Sequence, residues 1–156
     1  MNAPIIQFKG EYRFLSNFWV LDDGKTVEHY YQAAKVGPEG DPEMYRQIVE
    51  AETAGQAKRL GQAVELRPDW EHVKDALMAY YVGQKFGRSA PLAKLLIETG
   101  NRSLYEGNTW GDRYWGVDLE TGEGQNKLGL TLMAVRATLQ AEKALLLENL
   151  RSGNRG

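Results

Sequence analysis

Apolar side chains recur at helical spacing near the carboxyl end of the chain. In the segment from about 126 to 149, they form one stripe through Leu128, Leu132, Val135 and Leu139. A stripe of this kind is typical of a long helix that packs its apolar face on a core. This segment alone therefore favours a fold built mainly from helices.

Start and stop signals divide the rest of the chain into shorter helices. Candidate N-cap residues precede helical patterns, and Gly or Pro follows several of them. The predicted helices span 28–35, 42–51, 53–62, 70–86 and 89–100. Short β-strands are predicted near the N-terminus at 5–8 and 13–15, with a small hairpin between 18–20 and 26–27. We expect a mainly α fold, a single compact helical domain over residues 1–150 with a small β element near the N-terminus, and a frayed tail at 151–156.

Composition limits the classes of function. The 156 residues include no cysteine and two histidines, which excludes disulfides and thiolate metal sites and disfavours a zinc centre. The formal net charge of −2 argues against sequence-independent binding to phosphate backbones. No apolar run approaches the roughly 20 residues of a membrane helix, and there is no signal-peptide core. We expect a soluble, cytoplasmic protein with no metal and no cofactor.

The segment 104–129 is the strongest candidate for a functional site. Trp110 and Trp115 lie five positions apart with Asp112 between them, and further carboxylates flank the pair. Aromatic faces beside carboxylates suit a pocket that holds a ring and moves protons. The alternative is that the tryptophans fill the core and the acids are solvated.

A Gly-rich stretch, GEGQNK at 122–127, ends this segment and precedes the last helix. No strand pattern is evident immediately before it, so a dinucleotide-binding fold is not expected. Unpaired N–H groups at the helix start, with Asn126 as N-cap and Lys127 beside them, would form an anion site. The alternative is a flexible loop with a capped helix that binds nothing.

Two further constellations lie in the first 35 residues. Glu28 and Lys35 are seven positions apart, so they share one helix face at roughly 10 Å along the axis and a ligand could lie against both. A solvated lysine and a carboxylate that stabilises the helix dipole are the alternatives. Ser16 and Asn17 interrupt an aromatic run and could contact the edge of a ligand, or Asn17 could simply form a turn.

Four blocks of the sequence, in order, resemble the YbiA-like, or NADAR, family. They are FLSNFW, VEHYYQAAK, NTWGDRYWG and GEGQNKLGLTLMAVR, and they cover most of the chain from Arg13 to Arg136. The resemblance implies a cytoplasmic, mostly helical N-glycoside hydrolase that cuts the bond between a ribose anomeric carbon and an exocyclic base nitrogen. One branch of the family removes ADP-ribose from guanine in nucleic acid. We favour that branch because the open loop WGDRYWG at 110–116, the aromatic loop, could accept a large substrate. The other branch acts on ribosylamino-pyrimidine phosphates of riboflavin synthesis.

The resemblance also implies partners and site residues. The partner would be ADP-ribosylated nucleic acid or a ribosylated base as substrate, with a cognate ADP-ribosyltransferase toxin encoded nearby. A module that binds ADP-ribose without turnover and a helical partner-binding protein remain alternatives. The implied catalytic residues are Lys35, Glu28 and Asp112. The implied substrate-binding residues are Arg13, Ser16, Asn17, Phe18, Tyr31, Glu106, Asn108, Trp110, Trp115, Asp118, Gly124, Asn126 and Lys127.

The chemistry of these residues suggests one mechanism. A neutral Lys35 could attack the anomeric carbon and carry the sugar as a Schiff base, which water then hydrolyses. This requires the pKa of Lys35 to fall, and burial against Tyr31 and the tryptophans would lower it. Glu28 and Asp112 are both candidates for the acid and the base, with no division between them.

Overall fold

The computed structural model describes residues 2–154, and helices dominate it, as predicted. A short 3-10 helix spans Gly10–Leu15. The α-helices of the described residues are α1 (Val27–Ala34), α2 (Pro42–Val49), α3 (Ala54–Gln62), α4 (Trp70–Gly87), α5 (Ala90–Glu98) and α6 (Lys127–Gly153).

Capping side chains set several helix starts at the predicted residues. Asp41 accepts a hydrogen bond from the Glu43 N–H, Thr53 from that of Gln56, and Ser89 from that of Leu92. These bonds satisfy backbone donors that the first helical turn leaves unpaired. The sequence therefore predicted α2, α3 and α5 to within a few residues.

The predicted tail is partly helical. Helix α6 continues to Gly153, so residues 151–153 are helical, and the frayed tail expected at 151–156 remains a prediction. Residues 155–156 of that prediction lie outside the described residues. The carboxyl half of α6 is exposed.

The predicted N-terminal strands and hairpin are wrong within the described residues. The segment 13–15 belongs to the 3-10 helix, where neighbouring Phe14 and Leu15 are both buried, which an alternating strand with one buried face would not allow. Of the segment 5–8, only Ile5 forms a bridge, with Leu104. The strands that the structure does contain are β1 (Gly107–Asn108) and β2 (Val117–Asp118), a short parallel pair. Glycine, asparagine and aspartate are depleted in strands, so their sequence gave no signal.

The described chain separates into two compact units. In the unit Phe8–Lys85, α1 packs on α2 and α3 around a core of small and medium apolar side chains. That core consists of Ala33, Val36, Ile48, Ala51 and Ala57. The second unit contains the described residues on either side, 2–7 and 86–154, in which α5 and α6 pack together. The single domain proposed for residues 1–150 remains a prediction.

Arg136, which ends the last of the four sequence blocks, stabilises the second unit. Its side chain is buried, and Nη1 donates to the Thr99 hydroxyl (2.9 Å) and to the Arg102 carbonyl (2.8 Å). Burial lowers the pKa of its guanidinium. Within residues 2–154, none of the helices has both the length and the apolar character needed to cross a membrane.

Candidate active site

One face of α1 carries the acid and the lysine that the sequence singled out. Glu28 is 7% exposed, and its carboxylate accepts a 2.7 Å hydrogen bond from the side-chain amide of Gln32, one turn later. Tyr31 is buried on the same face, and its ring lies 5.2 Å from that of Trp70. Lys35 follows the last residue of the helix, with its Nζ 5.9 Å from the centre of the Tyr31 ring. The structure therefore brings Glu28, Tyr31 and Lys35 together.

The surroundings of Lys35 lower the pKa of its amine below that of a solvated lysine. Burial lowers the pKa of the amine, the negative charge of Glu28 acts in the opposite direction, and the positive charge of Lys58 lowers it further. The predicted direction of the shift is thus confirmed. The aromatic neighbour is Tyr31, as predicted, and the tryptophan that packs against Tyr31 is Trp70.

The start of α1 is fixed by a reciprocal pair of hydrogen bonds. Thr26 Oγ1 accepts from the backbone N–H of His29, and His29 Nδ1 accepts from the N–H of Thr26. His29 Nε2 then lies 2.9 Å from the carbonyl oxygen of Ala51, to which it donates. His29 is 2% exposed. It is therefore a buried capping residue that orients the helix carrying Glu28.

The Ser16–Asn17 turn is joined to both α1 and α4. The Asn17 carbonyl accepts the backbone N–H of Glu28 (3.1 Å), and its side-chain amide lies 3.4 Å from the sulfur of Met78. The Ser16 hydroxyl accepts the N–H of Phe18 (3.1 Å). The bond to the Asn17 carbonyl places the turn beside the first turn of α1, and the roles of Ser16 and Asn17 in substrate binding remain predictions.

The two other predicted residues of this block point outward or pack locally. Phe18 is 46% exposed. The Arg13 guanidinium lies 6.0 Å from the ring of Trp19. These two observations do not connect Arg13 or Phe18 with Glu28 or Lys35. Their roles in substrate binding therefore remain predictions.

Lys85 is a buried titratable residue that the sequence analysis missed. It is 4% exposed, and its Nζ donates a 2.8 Å hydrogen bond to the Ser16 carbonyl. Burial lowers its pKa to about 7. Its position in the apolar pattern of α4, seven residues after buried Met78, was the only available signal. Lysine at such a position usually extends to solvent, so the pattern alone gave no reason to single it out.

In the other unit, Asn108 and Asp112 shape the aromatic loop. Asn108 is 1% exposed; its side chain accepts the N–H of Asp112 (3.0 Å) and donates to the Asp112 carbonyl (2.8 Å). Asp112 Oδ1 in turn accepts the backbone N–H groups of Tyr114 (3.1 Å) and Trp115 (2.9 Å). The structure thus gives Asp112 a role in holding the loop, and its part in catalysis remains a prediction.

The two tryptophans of this loop differ in exposure. Trp110 is 61% exposed, so it does not fill the core. Trp115 is partly buried and meets the ring of Tyr114 edge-on, with centroids 4.9 Å apart. Lys127 packs over Tyr114, with its Nζ 4.6 Å from the centre of the ring and 3.1 Å from the hydroxyl. The indole of Trp110 is exposed on a loop that Asp112 holds in shape, and an indole in such a position can contact a large substrate.

The Gly-rich segment does not present the open N–H groups that an anion site needs. The N–H groups of Gln125, Asn126, Lys127 and Leu128 donate to the carbonyls of residues 113–116 at 2.8–3.2 Å. Gly124 has a φ of +146°, and a side chain there would collide with the Gly116 carbonyl. This close approach of two backbone segments was not visible in the sequence. These hydrogen bonds join the aromatic loop to the start of α6, and they occupy the N–H groups of residues 125–128 that the predicted anion site would need.

Asn126 occupies the N-cap position of α6 without capping it through its side chain. Its backbone is left-handed, with a φ of +51°. The side chain donates to the Leu104 carbonyl (2.9 Å) and accepts the N–H of Glu106 (3.1 Å). Asn126 therefore links the segment 104–106, which precedes β1, to the start of α6.

Asp118 stabilises a turn after β2. Its Oδ1 accepts the N–H groups of Glu120 (2.8 Å) and Thr121 (3.1 Å), which lower the pKa of the carboxyl. Arg113 lies 3.7 Å from its other oxygen. Within the described ranges, no group of three or more histidine, aspartate or glutamate side chains is arranged to hold a metal ion.

Comparisons with known proteins agree with the resemblance seen in the sequence blocks. The NADAR domain family model matches residues 7–140. The chain is 38% identical to the N-glycosidase YbiA of Shigella boydii, over 92% of this chain and 93% of that protein. It is 35% identical to a riboflavin biosynthesis protein of Vibrio vulnificus, over 90% of this chain, and spans only 40% of the length of that protein.

A solved structure matches the fold. The NMR structure of the Escherichia coli protein YbiA superposes with a TM-score of 0.77 at 35% sequence identity, covering 92% of this chain and 89% of that one. The match runs along almost the whole length of both chains, and the prediction of an enzyme is confirmed. The chain therefore belongs to the NADAR domain family, and it is an enzyme that hydrolyses N-glycosyl bonds.

Proposed function

We propose that this enzyme cleaves the bond between the anomeric carbon of a ribose and an exocyclic nitrogen of a base, with Lys35 as the nucleophile. The observation that carries the proposal is that one face of α1 holds both Glu28 and Lys35. There, a lysine with a lowered pKa lies near a buried carboxylate that is held by a neighbouring amide. A neutral amine and an adjacent acid are the two groups that imine-forming hydrolysis needs.

The reaction balances with these groups and one water. The lone pair of neutral Lys35 Nζ forms a bond to the anomeric carbon, the carbon–nitrogen bond to the base breaks, and the departing nitrogen takes a proton from a carboxylic acid. The lysine nitrogen then gives one proton to the ring oxygen as the bond between that oxygen and the anomeric carbon breaks, which leaves a protonated Schiff base of the open sugar. Water adds to the same carbon, and one of its protons returns to the carboxylate. The hydroxyl proton that remains passes to the lysine nitrogen as the carbon–nitrogen bond breaks, which restores the neutral amine of Lys35 and leaves the sugar as an aldehyde. The products are the free base and the free sugar.

The first candidate substrate is ADP-ribosylated guanine in nucleic acid. The 61% exposed side chain of Trp110 supports it, because an open indole can stack on a base that belongs to a larger molecule. The second candidate is a ribosylamino-pyrimidine phosphate of riboflavin synthesis, and the name of the Vibrio vulnificus relative favours it.

A turnover assay with both substrates tests the proposal. Wild type, Lys35→Ala and Lys94→Ala would each receive an ADP-ribosylated guanine oligonucleotide and a ribosylamino-pyrimidine phosphate, and the products would be identified by mass. Lys94 is an exposed lysine of α5 and serves as the matched control. We expect wild type and Lys94→Ala to release ADP-ribose, and Lys35→Ala to release none. Release of ribose phosphate instead would assign the metabolic substrate.

Borohydride reduction during turnover tests the covalent step. Reduction should trap the sugar on wild type, and peptide mass mapping should locate the adduct on Lys35. If Lys35→Ala kept full activity while Glu28→Ala lost it, the Schiff base would be excluded and direct acid–base hydrolysis would remain.

A further inference from the structure

A cavity of about 320 Å³ opens at the carboxyl end of α1, within the unit Phe8–Lys85. This volume lies within the range of small-ligand sites. Ala34, the residue before Lys35, forms part of its lining. None of the residues implied by the family resemblance lines this cavity, so it is a feature that the candidate active site does not account for.

Flat side chains form much of the wall. Tyr45 comes from α2 and is 42% exposed, whereas Tyr81 comes from α4 and is partly buried. The Tyr81 ring stacks on that of Tyr30 at 6.0 Å, which fixes its orientation. Pro38, Pro42 and Leu77 complete the apolar lining. Walls of this kind suit a planar aromatic ring.

One fixed cation also lines the cavity. Arg67 donates from Nε (2.6 Å) and Nη2 (3.0 Å) to the two carboxylate oxygens of Asp69, which holds the guanidinium plane in place. Among the described residues, nothing accepts a hydrogen bond from its Nη1. The Arg67 backbone N–H donates to the Lys35 carbonyl (2.8 Å), so the residue is also tied to the end of α1. A held guanidinium with a remaining donor is suited to a phosphate oxygen.

Two glycines allow close packing at the rim of the cavity, Gly37 against Arg67 and Gly40 against Val36. Gly37 has a φ of +75°, and a side chain there would collide with the stem of Arg67. A side chain at Gly40 would collide with the Val36 carbonyl. The Gly40 N–H donates to the Gly37 carbonyl (3.2 Å), which closes the turn. The rim therefore has a defined shape.

We propose that this cavity binds a mononucleotide moiety, with the base packed against Tyr45 and Tyr81 and the phosphate hydrogen-bonded to Arg67. The inference rests on the proposed function, because the moiety would be the nucleotide part of an ADP-ribosyl substrate whose reacting ribose lies at Lys35. Its position beside Ala34 gives the enzyme a second contact with the substrate, away from the bond that breaks. Binding energy from such a remote part can position the reacting carbon.

Isothermal titration with AMP tests the cavity without turnover. We expect saturable binding of AMP, and weaker binding of both adenosine, which lacks the phosphate, and ribose 5-phosphate, which lacks the base. Tyr45→Ala should weaken AMP binding at least about fivefold through the lost stacking, whereas Tyr45→Phe should retain it. Arg67→Gln should weaken it about tenfold through the lost charged hydrogen bond.

A matched control separates the cavity from the general surface. Arg46→Gln removes an exposed arginine of α2 that does not line the cavity, and this variant should bind AMP like wild type. Absence of saturable binding, equal binding of ribose 5-phosphate and AMP, or an unchanged affinity in both Tyr45→Ala and Arg67→Gln would overturn the inference.

The outcome is distinguishable from that of the proposed function. Lys35-dependent turnover without AMP binding would remove the cavity proposal and leave the N-glycosidase mechanism intact. AMP binding that depends on Tyr45 and Arg67, together with full turnover by Lys35→Ala, would remove the mechanism with Lys35 as the nucleophile and leave the cavity proposal intact.

Discussion

Gln32 donates a 2.7 Å hydrogen bond from its side-chain amide to the carboxylate of Glu28, one turn earlier on α1, and both side chains are buried. A side chain at Gly61 of α3 would collide with Gln32, so this glycine leaves the space that the amide occupies. The acid of the candidate site is therefore oriented by its own helix and by the close approach of a neighbouring one.

Gln32→Leu should reduce both stability and turnover. The carboxylate of Glu28 would lose one hydrogen bond to a charged group, worth about 1.5–3 kcal/mol, and its orientation would no longer be fixed. Urea unfolding and the steady-state assay would measure the two effects. Gln62→Leu, an exposed glutamine of α3, is the control. Equal stability and turnover in the two variants would show that the amide does not position the acid.

Lys58→Ala should move the pH dependence of turnover. The positive charge of Lys58 lowers the pKa of Lys35, so its removal raises that pKa and reduces the neutral fraction at a given pH. The rising, acidic limb of the rate profile should therefore shift to higher pH, while Lys94→Ala leaves it in place. A limb that does not respond to Lys58 would mean that Lys35 deprotonation does not limit the rate.

Lys85 should make the folded state more stable as the pH rises above neutrality. The unfolded chain keeps the lysine proton up to about pH 10.4, whereas the folded state loses it near its pKa of about 7. Between these values the unfolded state binds more protons, so the free energy of unfolding increases with pH. The gain should be of order a few kcal/mol.

Urea unfolding at pH 7 and pH 9 would measure this slope in wild type and in Lys85→Met. The variant has no titrating group at position 85, so it should show a smaller increase. Parallel slopes in the two proteins would contradict the lowered pKa of Lys85.

Substitutions of Asp112 separate its structural role from a catalytic one. Asp112→Asn keeps an acceptor for the N–H groups of Tyr114 and Trp115, whereas Asp112→Ala removes it. We expect Asp112→Ala to lose about 1–2 kcal/mol of unfolding free energy and Asp112→Asn to lose less. If Asp112 is also the acid or base, Asp112→Asn should remain folded and lose turnover; full activity would restrict Asp112 to holding the loop.

Local sequence determined the helices and the acid–lysine pair of this protein. Capping residues such as Asp41, Thr53 and Ser89 act within one turn, and the spacing of Glu28 and Lys35 sets a shared face through helix geometry alone, so both could be predicted. Only the tertiary structure decided which of these groups are buried and what they meet. The amine of Lys85 reaches a carbonyl 69 positions away, and the carbonyls of residues 113–116 occupy the N–H groups of the Gly-rich segment. Such contacts form only when packing brings distant segments of the chain together. The local sequence around these residues therefore does not predict the contacts.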